Sequence, residues 1–544
     1  MSTSAPSVAR SSALMASGSV VSRLLGVLRQ SLLVLAIGQG VVGNAFQTAN
    51  TLPNVIYMIL AGGVLNSVLV PQLVKAATNP DGGREYTDRI ITLSVSGFVV
   101  VAAVCTAGAG LLVRLYSQSL APDALWLATF FAVLTIPQIL FYGTFALLGQ
   151  VLNARGQFAA FGWAPALANV VQIAGLLAFM RFYDGHVGPD RWSSPMVWLL
   201  AGSATLGIAA QALFLIVPLW RSGFRWTPRF GFRGVGLRAT SQIAGWAFAA
   251  LIVSQLGYLV ASKVMWHASN QQPQVGRFVP GVAVYSNALF VFMVPHAFVA
   301  VSIITALYPR MARAAQEQDP VAQREEYVRG LTLPTALTMP ASLALLFFAI
   351  PITGVLFTSV NPEELPATSL VLVAMSLGVI PFGIDVLNQR FFYARDEGRL
   401  ALAEQLVLTG SATVVVLLTL QFPPWYTVAI IGGGIVASNI LSATFGMWFV
   451  GRRVGPLPVA RIVRGQVRMF IASVVAGGLA LPIFAVVRQF LPLGRWGDLG
   501  ALVVGGGVFG VVYLLMALTL RSPEVQTMVS RIPVLRRVRV RRTR

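Results

Sequence analysis

The sequence predicts an all-α integral membrane protein of about 14 transmembrane helices, set out as two parallel six-helix lobes followed by two C-terminal helices. Three observations carry this expectation. Of 544 residues, 56% are hydrophobic and only 10% charged, whereas a soluble chain carries about 25% charged residues; the mean hydropathy is +0.75. Uncharged runs of the roughly 20 residues needed to cross a bilayer recur from end to end. The basic residues gather in alternate gaps between those runs.

Backbone amides in lipid must be satisfied within their own segment, so each run is expected to be a helix. The approximate spans are 12–38, 44–74, 90–113, 124–152, 158–180, 194–219, 239–262, 279–308, 328–354, 367–393, 400–421, 425–450, 466–487 and 497–520. The N-terminus has no basic segment before its first apolar run, so that run is expected to be retained rather than cleaved. Cys105 is the single cysteine and has no internal partner.

Orientation follows from charge. One alternating set of gaps holds 30 Lys and Arg, the other 7, and Arg23 and Arg29 fall within the first span. The positive-inside rule therefore puts both termini in the cytoplasm. A net charge of +21 would suit nucleic acid in a soluble chain; here the alternation explains it as membrane topology, and no nucleic-acid partner is expected.

An internal duplication is legible. Leu69-Val70-Pro71-Gln72-Leu73-Val74-Lys75-Ala76-Ala77 matches Leu307-Tyr308-Pro309-Arg310-Met311-Ala312-Arg313-Ala314-Ala315. Ile136-Pro137 to Ala154-Arg155 matches Ile380-Pro381 to Ala394-Arg395. An even number of spans per copy keeps both copies the same way up, the arrangement of parallel-repeat transporters. Lobes are expected at 1–230 and 231–455, a helix pair at 456–520 and a basic tail at 521–544.

Charges inside apolar spans are candidates for function because each is costly there. Arg23 and Arg29 lie in the first span, and a planar guanidinium suits a diphosphate by donating paired hydrogen bonds. Six residues at about 100° each set the two side chains roughly 120° apart on a straight helix. Snorkelling to an interface is the plainer explanation for either. Asn50-Thr51-Leu52-Pro53-Asn54 is expected to interrupt the second span, with Asn50, Thr51 and Asn54 free to face a cavity; a simple kink is the alternative. Asp385 lies well inside the tenth span and is a candidate to bind a coupling cation or pair with an arginine. Gln138, Asn169 and similar residues read as contacts between helices, as do Gly62-Gly63 and Gly432-Gly433-Gly434, since no Lys-Ser/Thr follows them to make a phosphate loop. No Cys/His metal spacing appears, and no cofactor is expected.

These stretches resemble the MurJ/MviN family of lipid II flippases, within the multidrug/oligosaccharidyl-lipid/polysaccharide exporter superfamily. The resemblance rests on Ser22-Arg23-x-x-Gly26-x-x-Arg29, on Ala45-Phe46 through Leu52-Pro53-Asn54, on Val70-Pro71, and on Tyr142-Gly143 to Asn153-Ala154-Arg155-Gly156. It implies a bacterial plasma-membrane flippase that moves lipid II outward by alternating access. It also implies a cationic cavity holding the diphosphate-sugar head at Arg23 and Arg29, and a groove for the polyprenyl tail in the last two spans. The chain departs from the family pattern at Gln30, Asn44, Thr51, Gly62 and Phe290, where charged residues are common among members. Acids and bases are lost together there, which leaves the coupling ion open.

The alternatives are a flippase for another polyprenyl-linked glycan and a multidrug antiporter of the same superfamily. A membrane glycosyltransferase would need a catalytic base or paired acids on an outer loop; the longest, about 181–193, offers only Asp184, His186 and Asp190. The expected partners are the lipid-linked glycan and membrane lipids, with membrane potential or an ion gradient as the driving force.

Overall fold

The computed structural model describes residues 5–61, 84–117, 120–155, 157–231, 242–357, 361–492 and 494–530, and among them every regular element is helical. Twelve helices are long and apolar enough to cross a membrane. Glu364–Ser376 and Val379–Ala394 form a pair bent by 50°, which makes thirteen if the pair is one span. The remaining expected span, 44–74, is described only to Ala61, as the helix Val41–Leu60 with its first C-terminal residue. The chain divides by packing into two compact units, one running to Ala283 and the other from Val284 onward.

In the first unit, helix Ala5–Ile37 lies along helix Phe158–Phe182. Small residues allow the approach. A Cβ on Gly162 would lie 2.6 Å from the carbonyl oxygen of Met15, a spacing that fits helix packing in lipid, where apolar surface alone supplies no drive. Trp163 Nε1 donates to the Leu14 carbonyl at 3.1 Å, and Asn169 Nδ2 to that of Ser22 at 2.9 Å. Trp192 stacks on Phe179 and meets Phe131 edge-on near the C-terminal end of helix Phe158–Phe182.

The expected interruption at Asn50–Asn54 does not occur: the helix Val41–Leu60 runs through Pro53. Proline lacks the N–H that would bond the Ala49 carbonyl. Thr135 Oγ1, from helix Pro122–Thr135, donates to that carbonyl at 3.0 Å instead, so the helix continues at no cost in unsatisfied polar groups. Pro137 does end a helix, and Gln138–Ala154 begins just after it. The helix Gln242–Ser269, which the repeat assigns to the second lobe, packs within the first unit. There Trp266 Nε1 donates to Thr48 Oγ1 at 3.0 Å and Ser262 Oγ to the Tyr116 carbonyl at 2.8 Å.

The second unit holds the remaining helices. Pro320–Phe347 starts with proline after Asp319, whose carboxylate accepts from the Val321 and Ala322 amides at 2.9 and 3.0 Å, a conventional N-terminal cap. After helix Val282–Pro295 the chain forms a π-helical turn, His296–Ala300, and then helix Val301–Gln316. Pro295 cannot supply a regular amide bond, and a wider turn is one way a helix absorbs that loss. The last two long helices, Val459–Phe490 and Arg495–Thr519, form a hairpin closed by the Arg488–Asp498 ion pair. Met339, Phe348, Met469 and Phe509 form the core beneath the hairpin, and Tyr513 donates to the Ala336 carbonyl at 2.6 Å. Gly434 meets Val415, as close packing requires, whereas a Cβ on Gly433 would meet nothing.

The first copy of the Leu-x-Pro repeat and Gly62-Gly63 lie outside the described residues; the second copy sits in helix Val301–Gln316. The other pair is described in both copies and repeats in atomic detail. The Arg155 and Gln157 amides both donate to the Leu152 carbonyl, at 3.0 and 2.9 Å. The Arg395 and Glu397 amides do the same to Phe392, at 3.2 and 2.9 Å. The two arginines also share a backbone conformation, φ −95° and ψ 6° against φ −103° and ψ 8°.

Candidate functional site

The intramembrane arginines are held differently. Both lie on the unbroken helix Ala5–Ile37, which runs through Gly26 without interruption. Arg23 is on the exposed surface of this helix, whereas Arg29 is half-buried, as their 120° separation dictates. Arg29 Nη1 donates to Gln172 Oε1 on helix Phe158–Phe182 at 2.9 Å. Its Nε is buried and meets no acceptor among the described residues.

Arg29 lines a small cavity of about 20 Å³, room for about one water molecule, together with Gln30, Phe46, Asn50, Gln172 and Ser203. Asn50 is therefore brought to Arg29, while Arg23, Thr51 and Asn54 stand outside this lining. Thr51 turns back on its own helix and donates to the Gln47 carbonyl at 2.7 Å; Asn54 is exposed. The cavity thus sets one cation among three neutral amides, one hydroxyl and the apolar side chains of Leu33, Phe46, Leu176 and Leu200. That chemistry suits an anionic oxygen and gives an organic cation nothing to pair with.

Asp385 is buried in the second unit, 2% exposed on helix Val379–Ala394. Among the described residues it pairs with no arginine; its polar neighbours are Ser442 and a second buried acid, Glu404. Glu404 was not singled out from the sequence. The available signal was a carboxylate in the otherwise apolar run 400–421. In the loop after helix Phe158–Phe182, Asp184 accepts from the His186 amide at 2.9 Å, and this bond holds its carboxyl below the usual range. Among the described residues no group of three or more His, Cys, Asp or Glu is placed to hold a metal.

The long apolar helices and the few charges among them define a multi-pass helical membrane protein. A family model described as lipid II flippase MurJ matches residues 33–494. A probable lipid II flippase from Synechocystis is 27% identical, over 84% of this chain and 83% of its own. Another from Vibrio cholerae is 26% identical, over 93% and 95%. A solved lipid II flippase in an inward closed conformation superposes with a TM-score of 0.69 at 15% identity, over 93% of this chain and 99% of that one. An outward-facing multidrug transporter of the MATE family reaches a TM-score of 0.58 at 16% identity, over 82% and 95%; that likeness concerns the fold alone. The chain belongs to the MurJ family of lipid II flippases, and the resemblance read from its first spans holds.

Proposed function

We propose that this protein carries lipid II, a polyprenyl-diphosphate glycan, from the inner to the outer leaflet of the bacterial plasma membrane by alternating access. The observation that carries the reading is Arg29: a guanidinium in an apolar helix, anchored to Gln172 through one nitrogen and offering a buried, unpartnered Nε beside Asn50. Arg23 adds a second cation on the same helix, and Thr51 and Asn54 add polar groups on the neighbouring one. Helices Val459–Phe490 and Arg495–Thr519 supply the surface for the polyprenyl tail. Both termini lie in the cytoplasm, on the strength of the 30-to-7 split of basic residues.

The driving force is the membrane potential, with Asp385 as the candidate site for a coupling ion. Each elementary charge moved across the membrane is worth about 2.3 kcal/mol per 100 mV, and a diphosphate moving outward follows a potential that is negative inside. The test uses proteoliposomes holding a potassium potential set by valinomycin, with lipid II in the membrane and no ATP. Outward flipping should slow when the potential is reversed, and Arg29→Ala should abolish it while the protein still inserts. Flipping at the wild-type rate by Arg29→Ala would remove that residue from the site, and failure of the wild type to move lipid II would defeat the reading.

A further inference from the structure

The second unit contains a buried polar cluster for which headgroup binding has no use. Asp385 and Glu404 stand on adjacent helices, Val379–Ala394 and Gly398–Leu418, and are 2% and 1% exposed. Asn388, just beyond Asp385, donates its Nδ2 to Glu404 Oε1 at 2.7 Å and accepts from the Tyr327 hydroxyl. Ser442, on helix Thr427–Val454, donates to the Glu404 carbonyl at 3.2 Å. Gly446 on the same helix makes room: a Cβ there would lie 2.2 Å from Asn388 Nδ2 and 2.5 Å from Glu404 Oε1.

Part of this cluster is unmatched. Both carboxyl oxygens of Asp385 and Oε2 of Glu404 are buried without a hydrogen-bond partner among the described residues, the Ser442 hydroxyl beside Asp385 being directed to the Glu404 carbonyl. Ser438, one turn before Ser442 on the same helix face, also buries an unpartnered hydroxyl oxygen. Neighbouring charges do not compensate. Tyr327, from helix Pro320–Phe347, and Tyr393 are neutral phenols within reach of the pair's field and bring it no positive charge. Arg390 is exposed and lies over the Tyr308 ring at 5.4 Å. Arg395 donates to Gln323 and pairs with Glu397. His296, from the π-helical turn, rests on the Phe382 ring. The facing stretch of helix Thr427–Val454 offers only serine, asparagine and glycine.

Two neighbouring carboxylates in such surroundings cannot both stay ionised, because each lacks a counter-charge and repels the other. A shared proton converts one oxygen into the donor that the other group lacks. Two acids with hydroxyl and amide neighbours are too few ligands for a divalent ion, which takes six or more oxygens or keeps several waters.

We infer that Asp385 and Glu404 form a proton-binding pair, one proton held between their carboxyl groups, whose loading and release are linked to transport. Glu404 lies about two turns, and Asp385 about two and a half turns, from the helix ends that flank Arg395. Tyr327 and Asn388 form the hydrogen-bonded approach to it. Release gives one free proton and leaves the pair with one more negative charge, so no co-reactant is required. The link to transport rests on the flippase reading; the bound proton does not.

Infrared difference spectroscopy on the purified full chain tests the proton directly. The wild type should show a protonated-carboxyl C=O band at neutral pH that shifts in D2O. The double variant Asp385→Asn/Glu404→Gln, the neutral isostere of the loaded pair, should lose that band and keep the wild-type melting temperature. Identical wild-type and double-variant spectra would overturn the inference. So would loss of the band on adding Na+ at fixed pH, which would make the pair a metal-cation site. In proteoliposomes at clamped potential, wild-type flipping should change several-fold when the pH gradient is reversed, and the double variant should be insensitive. Wild-type flipping that ignores the gradient would break the link to transport while leaving the flippase reading intact. A protein that moves no lipid II but keeps the band would fail the flippase reading alone.

Discussion

Replacing Arg29 with Lys retains the positive charge and removes the planar fork. Arg29 uses Nη1 to reach Gln172 at 2.9 Å and keeps Nε as a buried donor without a partner. A lysine ammonium can take one of those positions but not both. A hydrogen bond involving a charged group is worth about 1.5–3 kcal/mol, and about 1.36 kcal/mol changes a rate tenfold. Losing one bond to phosphate in the transport step should therefore slow flipping roughly 10- to 150-fold. The assay is outward movement of lipid II in proteoliposomes at fixed potential and matched protein density. Gln172→Leu provides the control. It removes the anchor but leaves the guanidinium its phosphate-facing donors, so flipping should stay within several-fold while the melting temperature falls. Arg29→Lys flipping at the wild-type rate would refute the assignment. Equal losses in Arg29→Lys and Gln172→Leu, each matched by a loss of stability, would instead make Arg29 a strut between two helices.

Three further outcomes follow from the packing. In a Cys105→Ser background, an impermeant thiol reagent should label Asp190→Cys and spare Arg225→Cys in intact cells; the reverse pattern would invert the topology. Thr135→Val should cost about 1–3 kcal/mol by orphaning the Ala49 carbonyl, read as a lower melting temperature. Adding Pro53→Ala should recover much of that loss, since the substitution restores the missing backbone amide; an unchanged melting temperature in Thr135→Val would show that another group satisfies the carbonyl. Gly477→Ala should destabilise the C-terminal hairpin by about 1–3 kcal/mol, because its Cβ would lie 2.2 Å from the Phe347 ring. Thermal unfolding checks this, and a wild-type midpoint would mean that the ring yields freely.

The sequence by itself determined the solvent and the secondary structure. Scarce charge and recurring apolar runs require lipid, and lipid requires helices, because an unbonded amide has no water to turn to. The matched turns after Ala154 and Ala394 were legible because helix ends are written locally. Arg29 was legible because a charge in an apolar run is conspicuous in one dimension. What the tertiary structure decided is which faces meet and how each polar group is satisfied. Pro53 read as a break, yet Thr135, far away in the chain, supplies the lost bond. Arg23 and Arg29 read as equals, and packing against the Phe158–Phe182 helix separates them into an exposed and a half-buried side chain. Asp385 read as a lone acid seeking a cation, and Glu404 went unremarked. Their pairing depends on a glycine on a third helix and an asparagine between them. Hydrophobic periodicity fixes a helix from its own residues, but a buried polar group is completed by atoms on other helices, and only the packed chain brings those atoms within reach.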